Sequence, residues 1–307
     1  MSNSKEKQLK LKGIRLKKDS EDIKNLASIM PKTFANIEKN SLGKYSTGVP
    51  VSFDDLDAMT QGLQRGSLIV IGGRPAMGKT SFAMNLAKNV ATNKKLPVCY
   101  FSLEQSTELM SYRFLSMGLG IESERLRTGR LEQDEWGLLG TEINELSKLP
   151  IFICDKSSIK VQEIFSKSLK IKEEKSLGEL GLVIVDYIQM MDGPNNNSRD
   201  KELSKIILEL KEMAKALDVP VILLSQLSRR VEVRMNKRPM LWDLKETQGL
   251  ESHSDVVIML YRDEYYNPET TNRGIMEVIF TKHKNGPLGT VELLFEPHYM
   301  RFRNLAA

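Results

Sequence analysis

Three observations predict an α/β fold: a mostly parallel sheet flanked by helices, with a C-terminal antiparallel extension. Short, nearly continuous apolar runs alternate with stretches of helical periodicity, as expected of strands covered on both faces. One of those runs leads straight into a glycine-rich phosphate loop and then a helix. In the last quarter the runs follow one another across turn residues, as in hairpins.

The chain of 307 residues, with 40% hydrophobic and 28% charged side chains, has the composition of an ordinary globular protein and can bury a large core. Residues 1–19 are a basic tail. Within 1–18 seven basic side chains face one acid, Glu6, so the net charge of +5 resides in the tail and the body is close to neutral. The tract reads either as a solvated, disordered tail or as an arm for nucleic acid. From about Ser20 a helical stretch places Ile23, Leu26, Ala27, Met30, Phe34 and Ile37 on roughly one face. Pro31 predicts a kink or two short helices there. A polar passage then leads into the main domain, 45–307.

Strand-like runs follow at 68–72, 98–103, 151–154, 181–187, 220–225 and 255–260. The clearest helical period between them has Leu203, Ile206, Ile207, Leu210, Met213, Ala214 and Leu217. Runs at 275–281, 290–295 and 298–303 are separated by Asn-Gly-Pro and Glu-Pro turns. Cys99 and Cys154 sit inside strand runs and read as buried, reduced thiols of a cytosol-like compartment. No run is long enough to span a membrane, and none is expected to. His253, His283 and His298 show no metal-ligand spacing.

The phosphate loop follows the first main strand. Gly73, Gly78, Lys79 and Thr80 satisfy G-x-x-x-x-G-K-[ST], so residues 73–81 (Gly73, Arg74, Pro75, Ala76, Met77, Gly78, Lys79, Thr80 and Ser81) are the expected nucleotide cradle. Inward backbone N–H groups and the positive end of the next helix hold phosphate, Lys79 reaches the β- and γ-phosphates, and the Thr80 hydroxyl meets Mg²⁺. The run 181–187 carries Asp186 at the same sheet edge, where it either faces that metal or caps a turn. Glu104 closes another strand and is either a base for the attacking water or a surface acid opening a helix. Gln226 ends a third strand with an amide that can bond to a γ-phosphate.

Between 229 and 245 six basic side chains (Arg229, Arg230, Arg234, Lys237, Arg238 and Lys245) oppose Glu232 and Asp243. The stretch suits backbone phosphate contacts or is a solvated loop, and its Trp242 reads as a packing residue. Lys282 and Lys284 leave a strand just before a turn, either as an exposed hairpin or as a finger reaching a neighbouring subunit's phosphate site.

These segments, in order, carry a resemblance. Gly-Gly-Arg-Pro-Ala-Met-Gly-Lys-Thr (72–80), Phe-Ser-Leu-Glu (101–104), Val-Ile-Val-Asp-Tyr (183–187), Leu-Leu-Ser-Gln-Leu-Ser-Arg (223–229) and Lys-Arg-Pro-Met-Leu (237–241) resemble the DnaB-type replicative DNA helicase family. So do Tyr-Arg-Asp-Glu-Tyr-Tyr (261–266) and Asn-Gly-Pro-Leu-Gly-Thr (285–290). The likeness spans about 45–303, the family's RecA-like motor, and 20–44 resembles its linker helix, which docks on an adjacent subunit.

The resemblance implies a ring homo-hexamer that hydrolyses ATP with Mg²⁺ and moves 5′→3′ on single-stranded DNA. A primase and a helicase loader are its implied partners, in a bacterial cytoplasm (nucleoid-associated) or a plastid stroma. It assigns Lys79 and Thr80 to phosphate and metal, Asp186 to the metal, Glu104 to the catalytic base, and Gln226 to coupling. Lys282 and Lys284 become the trans fingers. Arg229, Lys245, Glu246 and Gln248 become DNA contacts, the last three in a channel loop over 243–248. The family usually has arginine at the position of Lys284 and Asp-Leu-Arg-Glu-Ser-Gly where this chain reads Asp-Leu-Lys-Glu-Thr-Gln. Its helical N-terminal domain has no counterpart in the match. A non-helicase RecA-like ATPase and a strand-exchange recombinase share the same core.

Overall fold

The computed structural model describes residues 9–11, 14–16, 23, 25–41, 48–191 and 199–305, without the side chains of the first two segments, of 39–40 and of 245–248. It divides into two units, Met1–Thr47 and Gly48–Ala307.

In the first unit β1 (Leu9–Leu11) pairs antiparallel with β2 (Ile14–Leu16), a hairpin the charge count did not point to. One continuous helix follows, α1 (Leu26–Ser41), with Pro31 inside it, rather than two short helices. Asn25 sets its start, the Oδ1 accepting the Ala27 N–H at 2.9 Å. Pro31 falls at the opening of the second turn, so the bond it deletes would have gone back to the first turn, and the helix continues. Leu26, Met30, Phe34 and Ile37 lie exposed along α1.

The second unit opens with α2 (Asp54–Thr60), β3 (Leu68–Gly73) and α3 (Lys79–Asn93). Next come β4 (Val98–Ser102), α4 (Thr107–Leu119), α5 (Ser123–Thr128), α6 (Glu135–Ser147) and β5 (Ile151–Cys154). Then α7 (Val161–Glu173), β6 (Leu182–Asp186), α8 (Arg199–Leu217) and β7 (Val221–Gln226). The chain ends with α9 (Gln248–His253), β8 (Val256–Tyr261), α10 (Asp263–Tyr266), β9 (Ile275–His283), β10 (Gly289–Glu296) and β11 (Arg301–Asn304).

The nine strands of this unit form one sheet, ordered β11-β10-β9-β8-β3-β7-β6-β4-β5. The six from β8 to β5 run parallel, and β9, β10 and β11 extend the edge antiparallel. Every residue of β3, β4 and β6 is buried, because helices cover both faces. Ile69 and Ile71 pack in one core with Phe82, Leu86 and Val90 of α3, while the alternate residues Leu68 and Val70 point to the opposite face. On α8 the seven periodic apolar residues are the buried ones, and its neighbour Leu208 is exposed.

The antiparallel extension closes over the start of α3. Phe302 lies 5.2 Å from Phe82 and 4.4 Å from Phe295 between ring centroids, which fixes β10 and β11 beside the phosphate loop. In β9 the register slips at Thr281, since Val257 pairs with Lys282 but Ile258 with Phe280. This bulge shifts the side-chain alternation by one residue just before the lysine-bearing turn.

The two adjacent α8 positions give opposite expectations. Ile207→Ala removes a fully buried side chain and should cost about 2–5 kcal/mol in urea unfolding. Leu208→Ala should stay within roughly 0.5 kcal/mol. Equal losses would mean that α8 does not bury the face its periodicity indicates.

Candidate active site

The parallel strands deliver their carboxyl ends to one edge of the sheet, where ligands bind in open α/β folds. β3 ends at Gly73, whose register partner on β7 is Gln226. β4 and β6 end together, with Ser102 opposite Asp186, and Glu104 lies two residues further on. A cavity of about 410 Å³ opens between these ends. Gly78, Lys79, Thr80, Glu104, Asp186 and Gln226 all line it, as do Pro75, Ala76 and Ser81. Pro75 and Met300, distant in sequence, both line it.

The loop between β3 and α3 is shaped by two left-handed residues, Ala76 (φ 63°) and Gly78 (φ 84°). A Cβ at Gly78 would sit 3.2 Å from the Phe295 ring as well as in an unfavourable backbone region. Helix α3 starts with no acidic residue in its first turn and no side-chain cap. Its leading N–H groups and the positive end of its dipole are therefore left for an anion.

Lys79 reaches back across the loop, its Nζ donating to the Arg74 carbonyl at 3.1 Å. Burial lowers its pKa to about 8; Asp186 opposes that shift and the Arg74 charge reinforces it. Asp186 is 3% exposed and accepts hydrogen bonds from the Thr80 hydroxyl and, at 3.1 Å, from the Tyr100 hydroxyl. Burial nevertheless raises its pKa, outweighing those bonds and the Lys79 charge. Burial thus pushes both groups toward neutrality.

The donor set suits a hard divalent cation. Thr80 and Asp186 offer oxygen ligands side by side, but no group of three or more His, Cys, Asp or Glu among the described residues could hold a metal. An ion here must draw its other ligands from water and phosphate, which is the habit of Mg²⁺.

Not every expected residue faces the cavity. Arg74, read as part of the phosphate cradle, is 7% exposed and turns beneath the loop, donating to the Leu227 carbonyl at 2.6 Å and to Glu232 at 2.9 Å. Met77 faces the hydrophobic core, 1% exposed. Gly73 takes part through its backbone, since a Cβ there would approach the Lys79 Cγ to 3.2 Å. The cradle was expected of the loop's backbone N–H groups, and side chains that turn away leave that expectation as it stands.

Two arginines join the site that sequence reasoning did not name. Arg113 of α4 lines the cavity close to Asp186 and Glu104, and burial lowers its pKa. Its signal was a cation within the buried stripe Met110, Phe114 and Met117. Arg262, in the 261–266 segment, also lines the cavity, donates to the Ala76 carbonyl at 3.3 Å and pairs with Glu264.

Lys282 and Lys284 lie at the opposite edge of the sheet. Lys284 pairs with Asp255 at 3.1 Å, Lys282 donates to the Glu251 carbonyl, and Asp255 also receives the N–H of Leu68, the first residue of β3. They are thus remote from the cavity, and neither lines it. Arg229 is exposed at the start of a 3₁₀ turn, Arg229–Val233. The segment expected as a channel loop is a 3₁₀ turn, Leu241–Thr247, running into α9. The side chains of Lys245, Glu246 and Gln248 lie outside the described residues. Trp242 is 54% exposed rather than packed.

Comparison with known proteins agrees with this geometry. The DnaB-like helicase C terminal domain family matches residues 48–304. The replicative DNA helicase DnaB of Geobacillus stearothermophilus is 42% identical over 96% of the chain, and the replicative DNA helicase DnaC of Bacillus subtilis is 43% identical over 94%. The chain spans a little under two thirds of these relatives, 65% and 64% of their lengths. Among solved structures, an ATPase domain superposes with a TM-score of 0.88 at 39% identity, covering 93% of this chain and all of that one. A DnaB-like replicative helicase, whose interactions with primase were described with it, gives 0.85 at 39% identity, covering 93% of this chain and 68% of its own. The chain belongs to the DnaB-like helicase C-terminal domain family.

Proposed function

We propose that this chain is the ATP-hydrolysing motor of a replicative DNA helicase, moving 5′→3′ on single-stranded DNA within a ring homo-hexamer. The observation that carries the reading is the convergence of Lys79, Thr80, Asp186, Glu104 and Gln226 on one cavity. Lys79 and the first N–H groups of α3 bind the β- and γ-phosphates. Mg²⁺, held through Thr80 and Asp186, would neutralise charge on the phosphates. Glu104, exposed at the cavity wall, accepts a proton from the water that attacks the γ-phosphate. Gln226 donates its amide to the γ-phosphate side and leads into the stretch 229–248, which supplies the DNA contacts Arg229, Lys245, Glu246 and Gln248.

Lys282 and Lys284, at the far edge of the sheet, complete the cavity of a neighbouring subunit as trans fingers. The exposed apolar stripe on α1, which in this reading is the linker helix, supports docking on such a neighbour. A primase and a helicase loader are the further partners in this reading. The compartment is a bacterial cytoplasm, where the chain is nucleoid-associated, or a plastid stroma. No helix among the described residues is long and apolar enough to cross a membrane.

Single-stranded DNA should stimulate ATP turnover and bind with a strong salt dependence, and a forked duplex should be unwound. Lys79→Ala should remain folded and lose turnover by roughly 10³-fold. Turnover indifferent to DNA across a range of salt would sink the motor reading.

The lowered pKa of Lys79 gives a second expectation. At pH 8 about half of the free sites hold it neutral, and a bound polyphosphate draws the proton back. Metal-free ADP should therefore bind with uptake of roughly half a proton per site, read by calorimetry in buffers of different ionisation heat. Its affinity should fall as the pH rises above 8. Lys79→Met should abolish the uptake; an undiminished uptake in that variant would exclude Lys79 as the group.

Lys284→Ala should lower DNA-stimulated turnover by about 10²-fold or more while nucleotide affinity is retained. Lys284→Arg, which adds a planar two-pronged donor, should raise turnover above the parent. An inert alanine variant would remove Lys284 from the neighbour's site.

A further inference from the structure

We propose that Arg74 and Glu232 form a positioning link through which the phosphate loop and the segment after β7 sense each other. The inference rests on the reading above, in which that segment contacts DNA. It assigns to Arg74 a task other than holding phosphate.

The geometry joins three pieces of chain. Arg74 belongs to the phosphate loop, and its own carbonyl receives Lys79. Its guanidinium, with the side chain 8% exposed, donates to the Leu227 carbonyl immediately after Gln226 and lies 2.8 Å from Glu232. Glu232 stands in the 3₁₀ turn Arg229–Val233, whose Arg229 and Arg230 face solvent while Val231 is fully buried. Beyond the turn, the Glu232 carbonyl receives Lys237 Nζ at 2.8 Å, and Arg234 forks onto Asp243 at 3.2 and 2.8 Å. Asp243 opens the stretch carrying Lys245, Glu246 and Gln248. Hydrogen bonds and short steps of main chain thus connect the carbonyl that seats Lys79 to the 3₁₀ turn and on to Asp243, beside the residues proposed to touch DNA.

The charges make the link stiff. A guanidinium nearly out of water is costly unless its donors are met, so Arg74 holds both the β7 end and the 3₁₀ turn in fixed relation to the loop. When phosphate fills the loop and recruits Lys79, the Arg74 carbonyl loses that partner, and the arginine can shift only by carrying Glu232 with it. A displacement of the turn by DNA travels the other way. Reciprocity is then obligatory: nucleotide must change DNA affinity by the same factor as DNA changes nucleotide affinity.

The test uses Glu232→Ala and Glu232→Gln in the full chain. It reads turnover with and without oligo(dT), the KM for ATP, and oligo(dT) affinity with and without a non-hydrolysable ATP analogue. The alanine variant should keep basal turnover and KM within about twofold, lose roughly tenfold in DNA stimulation, and bind DNA equally with and without the analogue. The glutamine variant, which keeps an acceptor but not the charge, should fall between, and carries the same readout should the alanine variant not fold. Stimulation at the wild-type level in both variants overturns the link. So does a uniform loss of basal turnover and of DNA affinity with and without nucleotide, which is the mark of a merely structural pair. A wild-type protein that shows no stimulation by DNA fails the motor reading itself.

Discussion

An ammonium group held in a pocket with too little opposing charge is the constraint on which the site depends. Lys79 rests on a backbone carbonyl and feels Asp186 and Glu104 only through space, so burial lowers its affinity for a proton. Asp186 is pushed the opposite way by the same burial. In the proposed reading phosphate would answer the ammonium and a cation the carboxylate. That mismatch is tolerable because the surroundings are rigid. β3 is buried along its whole length between β7 and β8, and the rings of Phe295 and Phe302 brace the loop from the side. The fold spends its packing on keeping a poorly compensated pair in place, and binding energy is drawn from relieving it.

The strand ends form a site because of register rather than proximity in sequence. Parallel pairing sets Gly73 level with Gln226 and Ser102 level with Asp186, so the strand ends open on the same edge of the sheet. The helices between them serve chiefly to return the chain to the starting edge. A slip of one residue in any of these pairings would turn the terminal side chain to the other face.

Much of this was legible beforehand, for specific reasons. Strands buried on both faces are written as unbroken apolar runs, and each run of the main domain holds a strand, although 298–303 opens in a 3₁₀ turn before β11. The loop motif, the α8 stripe and the strand-terminal Asp186 and Gln226 are local signals with local causes. What escaped was set by distant partners. The outward turn of Arg74 depends on Glu232, 158 residues away, and the place of Arg113 depends on a carboxylate on another strand. Pro31 misled because its effect depends on position within a helix whose start Asn25 decides. The resemblance made 243–248 a loop, and the structure has a 3₁₀ turn there, which needs no apolar period to form.

The placement of Lys282 and Lys284 at one end of the parallel strands, with the cavity at the other, also constrains symmetry. A twofold pair of subunits presents the same patch to itself, and such a patch would have to contain both ends of the sheet at once. In the proposed reading, where these lysines serve a neighbour's cavity, head-to-tail stacking meets the need with one repeated contact, each copy serving the next. Whether such a series closes or runs on as a filament then depends on a single angle between successive copies.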